Sequence, residues 1–302
     1  MATVDALVRA ATKRFRTAGL DSARLDAELL LANVLGIDRS GVLAHPEAPV
    51  GDGQVARFEA AVTRHEAGEP VAYLRGLKEF AGLALAIDER ALIPRPETER
   101  LVELAEADIA ARLLSAPRTH GAPPIRVVDV GTGSGAVAVA IAVRLRARRM
   151  LDDVDILATD DDARALDLAR ENAVGHAVAD RLRLGEADLI PASESPFDLV
   201  LANLPYVSTE AMAELPAQVL FEPRHALDGG VDGLAVIRRL VAILPEVLAQ
   251  HGLVLLEIGA DQEAGIVRAV TELPGGWTCS VEPDLAGLPR IARIARIARI
   301  AT

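Results

Sequence analysis

The sequence is poor in several features that would each have pointed to a function class. One cysteine, Cys279, stands in 302 residues, which excludes an internal disulfide and any Cys-rich metal centre. A lone thiol fits a reducing compartment, so a cytoplasmic location is expected and no metal site is. Basic residues are outnumbered, 32 Lys and Arg against 44 Asp and Glu, for a formal net charge of −12. Phosphate backbones are bound through Lys and Arg, so that balance argues against a direct nucleic-acid partner. Long apolar runs are absent too, and no stretch can span a bilayer. The first residues, Met1 to Arg16, are rich in Ala and Arg like a transit peptide, but Asp5 interrupts them and they merge into a helical pattern. His45 and His65 have no Cys or paired carboxylate at ligand spacing, which makes them surface or interdomain histidines rather than metal ligands.

What is present is a globular chain, 51% hydrophobic, long enough for one large domain and a smaller one. From Val4 to about Ala67 apolar residues recur at helical spacing: Val4, Leu7, Val8, Ala11 and Phe15, then Leu25, Leu29, Leu30, Val34 and Leu35. Gly19 and Gly36 end helices, and Asp21 or Ser22 is a candidate N-cap. The expected organisation is a helical domain over 1–76, a connecting hairpin or linker over 77–97 and a catalytic domain over 98–302. Short apolar runs broken by Gly82, Asp88, Pro94 and Pro96 mark the hairpin. Pro96 suits the start of a helix, with Glu97 and Glu99 at its positive end. A linker and helix cap account for these prolines and acids, yet leave the fixed position of Arg95 without a purpose.

After a loop from Ser115 to Pro124, the strand Arg126 to Val130 runs into Gly131-Thr132-Gly133-Ser134-Gly135 and then an Ala/Val helix. Glycines let backbone approach a ligand, and the following helix offers free N–H groups. With Ala136 the turn also fits the dinucleotide pattern G-x-G-x-x-G/A, so by itself it separates neither a nicotinamide enzyme from a methyltransferase. A second strand, Val154 to Thr159, ends in Asp160, placed to accept from two ribose hydroxyls in either class. Asp161 and Asp162 read as solvated or capping. A third strand, Leu182 to Leu184, leads to Asp188 and Leu189. The fourth, Leu199 to Ala202, is apolar throughout, as in a parallel sheet buried on both faces, and ends in Asn203-Leu204-Pro205-Tyr206. An Asn carbonyl and the next backbone carbonyl can accept both N–H groups of a planar –NH2 while a ring covers its face. The same four residues also fit an ordinary Asn/Pro turn. Hydride transfer has no use for that element, whereas methyl transfer to an amino group does.

These segments, with Glu69-Pro70-Val71-Ala72-Tyr73-Leu74, Ile93-Pro94-Arg95-Pro96-Glu97-Thr98-Glu99, Ala226-Leu227-Asp228-Gly229-Gly230-Val231-Asp232-Gly233-Leu234 and Leu256-Glu257-Ile258-Gly259, resemble the protein-(glutamine-N5) methyltransferase family, and most closely its release-factor branch. The Pro-Arg-Pro-Glu-Thr-Glu and Ala-Leu-Asp-Gly-Gly segments set it apart from DNA adenine methyltransferases, which share the glycine turn and an Asn-Pro-Pro-Tyr type of motif. The resemblance implies an α/β fold, a Rossmann-like class I methyltransferase with a seven-stranded sheet that binds S-adenosylmethionine, preceded by a small helical domain that helps recognise the substrate protein. It implies cofactor contacts at Gly131, Thr132, Gly133, Ser134, Gly135, Asp160, Asp188, Leu189 and Asn203. Asn203, Leu204, Pro205 and Tyr206 would hold the substrate amide, with Leu204 standing where the family has its first proline. The expected reaction is methylation of the side-chain nitrogen of the Gly-Gly-Gln glutamine in class 1 peptide chain release factors. A glutamine of a large-subunit ribosomal protein is the competing substrate, and a DNA or RNA adenine methyltransferase or an inactive cofactor-binding scaffold are the other classes. No general base is evident in the sequence. Phe221-Glu222-Pro223 reads either as a loop closing over the site or as a plain surface loop. In the family the C-terminal region supplies the last strand, but the repeat of Ile-Ala-Arg from Arg290 to Ile300 has a period matching neither strand nor helix, so a frayed or atypical terminus is expected here.

Overall fold

The computed structural model describes residues 1–115 and 122–297. The chain forms two compact units, Met1–Lys78 with Pro216–Phe221, and Glu79–Leu215 with Glu222–Thr302.

In the first unit five helices, α1 (Val4–Thr17), α2 (Ala23–Leu35), α3 (Arg39–Ala44), α4 (Asp52–Glu66) and α5 (Val71–Arg75), follow one another. The periodic face of α1 is buried as its spacing requires, with Val4, Leu7, Val8, Ala11 and Phe15 all in the core. The face of α2 is not the one read from the sequence. Leu25 is exposed, while Ala23, Ala27, Leu30 and Leu31 are buried. Three consecutive leucines carry no phase information, and the small Ala residues permit the closer approach. His65 is likewise no surface histidine. It is fully buried inside this unit, edge-on to Phe15, with Nδ1 at 2.7 Å from the Glu69 carbonyl and Nε2 at 3.2 Å from Asp26. Two polar partners make burial of an imidazole tolerable. His45 is exposed.

A two-stranded hairpin, β1 (Leu77–Phe80) and β2 (Leu83–Ala86), leads toward α6 (Glu99–Ser115), which is entered through a short 3-10 turn beginning at Pro96. The second unit then alternates strands and helices: β3 (Ile125–Val130), α7 (Ala136–Ala147), β4 (Val154–Asp160), α8 (Ala163–Gly175), β5 (Leu182–Glu186) and β6 (Phe197–Ala202). A short helix of the first unit, α9 (Ala217–Leu220), precedes α10 (Ala235–Val247), β7 (Leu248–Glu257), α11 (Glu263–Thr271), β8 (Trp277–Pro283) and β9 (Pro289–Arg296). The seven strands lie in the order β5-β4-β3-β6-β7-β9-β8. Pairings from β5 to β7 are parallel, and β9 runs antiparallel to both its neighbours. Period-two alternation sends Val127, Leu199, Leu201 and Leu253 to the core beneath α6 and α7, and Val128, Val200, Ala202 and Val254 to the core beneath α10 and α11. Both faces are covered, hence the unbroken apolar runs.

The C-terminal repeat is a correction to the sequence reading. Instead of fraying, β9 sits inside the sheet between β7 and β8, with Ile291, Ala292 and Ile294 fully buried. A period of three laid on a strand of period two moves each successive Ile to the opposite face. Ile291 therefore joins the core under α6 and α7, and Ile294 the core under α10 and α11. For a strand covered on both sides that is a good pattern. The arginines between the isoleucines have partners for their charged heads: Arg293 pairs with Glu282 at 3.3 Å, and Arg296 stacks over Trp277 at 4.8 Å. Residues 298–302, which include the last three of the repeat, and residues 116–121 of the predicted loop lie outside the described residues.

Candidate active site

The sheet reverses direction between β3 and β6, since β4 and β5 extend to one side of β3 and the later strands to the other. At such a switch point the loops leaving adjacent strand ends diverge and open a crevice. Here it is a cleft of about 1070 Å³, open mouth included, bordered by the glycine turn after β3, the end of β4, the loop after β5 and the motif after β6.

Backbone geometry explains the glycine turn. Gly131, Gly133 and Gly135 adopt φ of 68°, 54° and 77°, a region costly for any side chain. A Cβ on Gly131 would lie 3.0 Å from Leu204 Cδ2, so the turn and the Asn203 motif are fitted to each other. Buried Asp129 ties the turn down, accepting from Thr132 Oγ1 at 2.6 Å and from Ala138 N at 3.2 Å. Burial pushes its carboxyl up to about 6. Gly131, Thr132, Gly133 and Ser134 line the cleft. Gly135 instead packs against Ala169 of α8 and begins α7.

Asp160 ends β4 at the cleft wall, accepting from Gly133 N at 2.8 Å and Asp162 N at 3.0 Å. A carboxylate has about four acceptor positions, so acceptor capacity remains for a ligand. Burial raises its pKa, opposed by those two N–H groups. Asp162 caps α8, accepting from Arg164 N. Asp188 and Leu189 border the cleft after β5. Asp188 forms an exposed ion pair with Arg239, and Leu189 holds φ of 68° while its carbonyl accepts from Thr159 Oγ1 at 2.8 Å. A branched residue in the left-handed region carries strain, which collects at ligand sites.

Asn203, Leu204 and Pro205 also line the cleft. Asn203 Nδ2 donates to the buried Thr98 hydroxyl at 3.0 Å, a bond that leaves the Oδ1 acceptor unused. The Leu204 side chain is buried in the core beneath α10, where the family's proline would be far smaller. Tyr206 lies behind the cleft wall, its hydroxyl 3.4 Å from Glu257 Oε1. Burial, then the Glu257 charge, push that phenol up to about 12.

Several residues in segments the sequence singled out have roles that it did not assign. Glu222 is buried and reaches back to the Pro-Arg-Pro segment, accepting from Ile93 N at 2.9 Å and Arg95 Nη2 at 2.5 Å. That pairing gives Arg95 its purpose: the two acceptors anchor a loop without regular structure beside the cleft. Gly229 and Gly233 let the Ala226 to Leu234 loop pass directly under the motif, for a Cβ would meet Pro205 O at 2.7 Å or Tyr206 O at 2.2 Å. Gln262 Nε2 completes that support, donating to Tyr206 O at 2.8 Å. Glu257, at the end of β7, has no exposure and burial pushes its carboxyl up to about 7. An acid closing the apolar run Leu253 to Leu256 was its visible signal.

Comparison with known proteins adds family information. The PrmC N-terminal domain profile matches residues 6–76 and the Methyltransferase small domain profile residues 104–251. A protein of Cereibacter sphaeroides bearing the name release factor glutamine methyltransferase is 38% identical, covering 96% of this chain and 97% of its own. Its namesake in Deinococcus radiodurans is 36% identical over 94% of this chain and 95% of its own. Among solved structures, the hMettl16 catalytic domain in complex with MAT2A 3'UTR hairpin 6 superposes with a TM-score of 0.54 at 15% identity, covering 83% of this chain and 84% of that one, a likeness of fold alone.

Proposed function

Relatives of one name, more than a third identical over nearly the whole length, place the chain in the release factor glutamine methyltransferase family, and from that premise we propose that it methylates the N5 nitrogen of the Gly-Gly-Gln glutamine in class 1 release factors, using S-adenosylmethionine. The observation that carries the reading is the Asn203 amide, anchored through Nδ2 on Thr98 at the lip of a glycine-walled cleft.

The cleft fits the cofactor. Two glycines whose positive φ brings bare backbone to the wall, acceptor capacity on Asp160 and a second acid at Asp188 suit a ligand with ribose hydroxyls and a cationic centre. Gly131 to Ser134 and Asp160 would hold it, with Asp188 and Leu189 beside the base. When bound, S-adenosylmethionine supplies an electrophilic methyl group. Everything else falls to the protein. An amide nitrogen shares its lone pair with its carbonyl, so it is a weak nucleophile that must be aligned. Asn203 Oδ1 accepts one N–H and the Leu204 carbonyl the other, which fixes the plane of the amide and stabilises positive charge developing on nitrogen. Holding both reactants in one cleft makes transfer effectively intramolecular, worth roughly 7–11 kcal/mol in well-aligned cases. The ring of Tyr206, held by Glu257 and by Gln262 beneath its backbone, backs the motif.

The test is to incubate the full chain and labelled S-adenosylmethionine with a release factor, with a large-subunit ribosomal protein, or with DNA. Label on the release factor, lost when its glutamine is replaced and in Asn203→Ala, is the expected result. Label on the ribosomal protein alone would overturn the substrate assignment.

A further inference from the structure

At the motif lies a chain of polar groups, with Thr98 and Asn203 lining the cleft, whose continuation from Thr98 to Glu257 no step above uses. Thr98, Asn203 and Glu257 come from the turn before α6, the end of β6 and the end of β7. Thr98 and Glu257 are both buried, with 4% and no exposure. Asn203 Nδ2 donates to Thr98 Oγ1 at 3.0 Å. Glu257 Oε1 faces the Tyr206 hydroxyl at 3.4 Å, while among the described residues its buried Oε2 has no hydrogen-bond partner. A buried carboxylate oxygen without a donor is costly, so a neighbouring hydroxyl rotor will turn toward it. Thr98 is that neighbour, close enough to hold the carboxyl's pKa down.

We propose that Glu257 is a positioning residue that sets the direction of this chain and thereby the face that Asn203 shows to the substrate. A hydroxyl has one proton. If Glu257, as a carboxylate, accepts a hydrogen bond from the Thr98 hydroxyl, that proton is committed, the Thr98 oxygen can only accept, and it must accept from Asn203 Nδ2. Oδ1 then faces the cleft, the orientation required to accept an N–H from a substrate amide. Reversing the first bond reverses the rest. A protonated Glu257 donates to Thr98, Thr98 donates to Asn203 Oδ1, and the amide turns its –NH2 toward the substrate –NH2, donor against donor. The inference rests on the glutamine-amide reading of the site.

Protonation is within reach of ordinary conditions. Burial drives the Glu257 carboxyl up to about 7, with Glu97 adding to the rise, while Thr98, Arg290 and Tyr206 oppose it. Arg290, on β9, is itself engaged by Asp284 at 3.2 Å. A raised pKa means the neutral form dominates below about 7, so the productive orientation is lost as pH falls through that value.

The experiment measures kcat with saturating release factor and S-adenosylmethionine across about pH 5.5 to 8.5, with S-adenosylhomocysteine affinity and melting temperature alongside. The natural chain should lose turnover about tenfold per pH unit below about 7. Glu257→Gln and Thr98→Val should be about tenfold or more slower at pH 8, flat across the acid range and unchanged in S-adenosylhomocysteine affinity, and Thr98→Ser should recover most of the loss. An acid limb that persists in Glu257→Gln, or a Thr98→Val enzyme as fast as the natural one, would overturn the proposal. If Glu257→Gln does not fold, the Thr98→Val and Thr98→Ser pair decides alone. Failure of the underlying reading looks different: Asn203→Ala would then retain full transfer.

Discussion

Replacing Ile294 by Ala tests whether the period-three segment is a central strand. Ile294 has no exposure and sits between Val254 of β7 and Cys279 of β8. Truncating it removes three carbons from a closed core, and large-to-small changes of this kind cost about 2–5 kcal/mol through lost burial plus the cavity left behind. For a unit of roughly 200 residues each kcal/mol lowers the melting temperature by about 2–4 °C, so a drop of roughly 4–20 °C is expected. Ile291→Ala should behave alike, because Ile291 is equally buried on the other face. Three residues along a strand separate the two by about 10 Å, with different clusters around each, so the double variant should show the sum to within about 0.5 kcal/mol. That sum approaches the whole stability of an ordinary domain. Ile297, half exposed at 50%, is the control, and its replacement should cost about 0.5 kcal/mol or less. Differential scanning calorimetry on the natural chain and the four variants decides the matter. An Ile294→Ala melting point within about 2 °C of the natural chain would refute the argument.

Three further outcomes are expected. Asp160→Ala should weaken S-adenosylmethionine binding by about 1.5–3 kcal/mol, measured by calorimetric titration; because the carboxylate also holds Gly133 N and Asp162 N, Asp160→Asn is the gentler comparison. Glu222→Ala strands Ile93 N and Arg95, and since the Arg95 side chain keeps 29% exposure the cost should be about 2–4 kcal/mol in urea unfolding, below the 3–5 of a fully buried pair, with Arg95→Ala adding little to it. Gly233→Ala would place a Cβ 2.2 Å from Tyr206 O at φ of 73°, so methyl transfer should fall at least about tenfold while S-adenosylhomocysteine still binds.

What the sequence revealed depended on how locally each signal was written. The glycine turn, the acid ending β4 and the Asn203 motif are each contiguous, and the apolar run before each one placed it at a strand end. The phase of α2 was not legible because an Ala/Leu-rich helix has no unique apolar face, and burial of His65 needed partners at Asp26 and Glu69 that no spacing rule pairs with it. The repeat over β9 was misread because a period was compared with one buried face, when the strand has two. Glu222 and Arg95 stand 127 positions apart, so their contact could only come from the fold.

Glu257 raises a more general point about acids at strand ends. Asp129, Asp160 and Glu257 lie at or near the C-terminal ends of β3, β4 and β7, each in or after an apolar run, and the sequence reading gave weight to Asp160 alone because a ligand was already imagined for it. All three carboxyls are pushed up by burial, and they differ in what satisfies them. Asp129 is satisfied by its own turn, and Asp160 accepts from neighbouring backbone with capacity left over. Among the described residues Glu257 has a buried oxygen with no hydrogen-bond partner and a long bond to Tyr206. The first arrangement stiffens a loop, the second leaves acceptor positions for a ligand, and the third leaves an acceptor that must draw a hydrogen bond from its nearest hydroxyl. An acid at the end of a buried strand therefore announces a polar site, but its role is set by how many of its acceptor positions the fold has already filled.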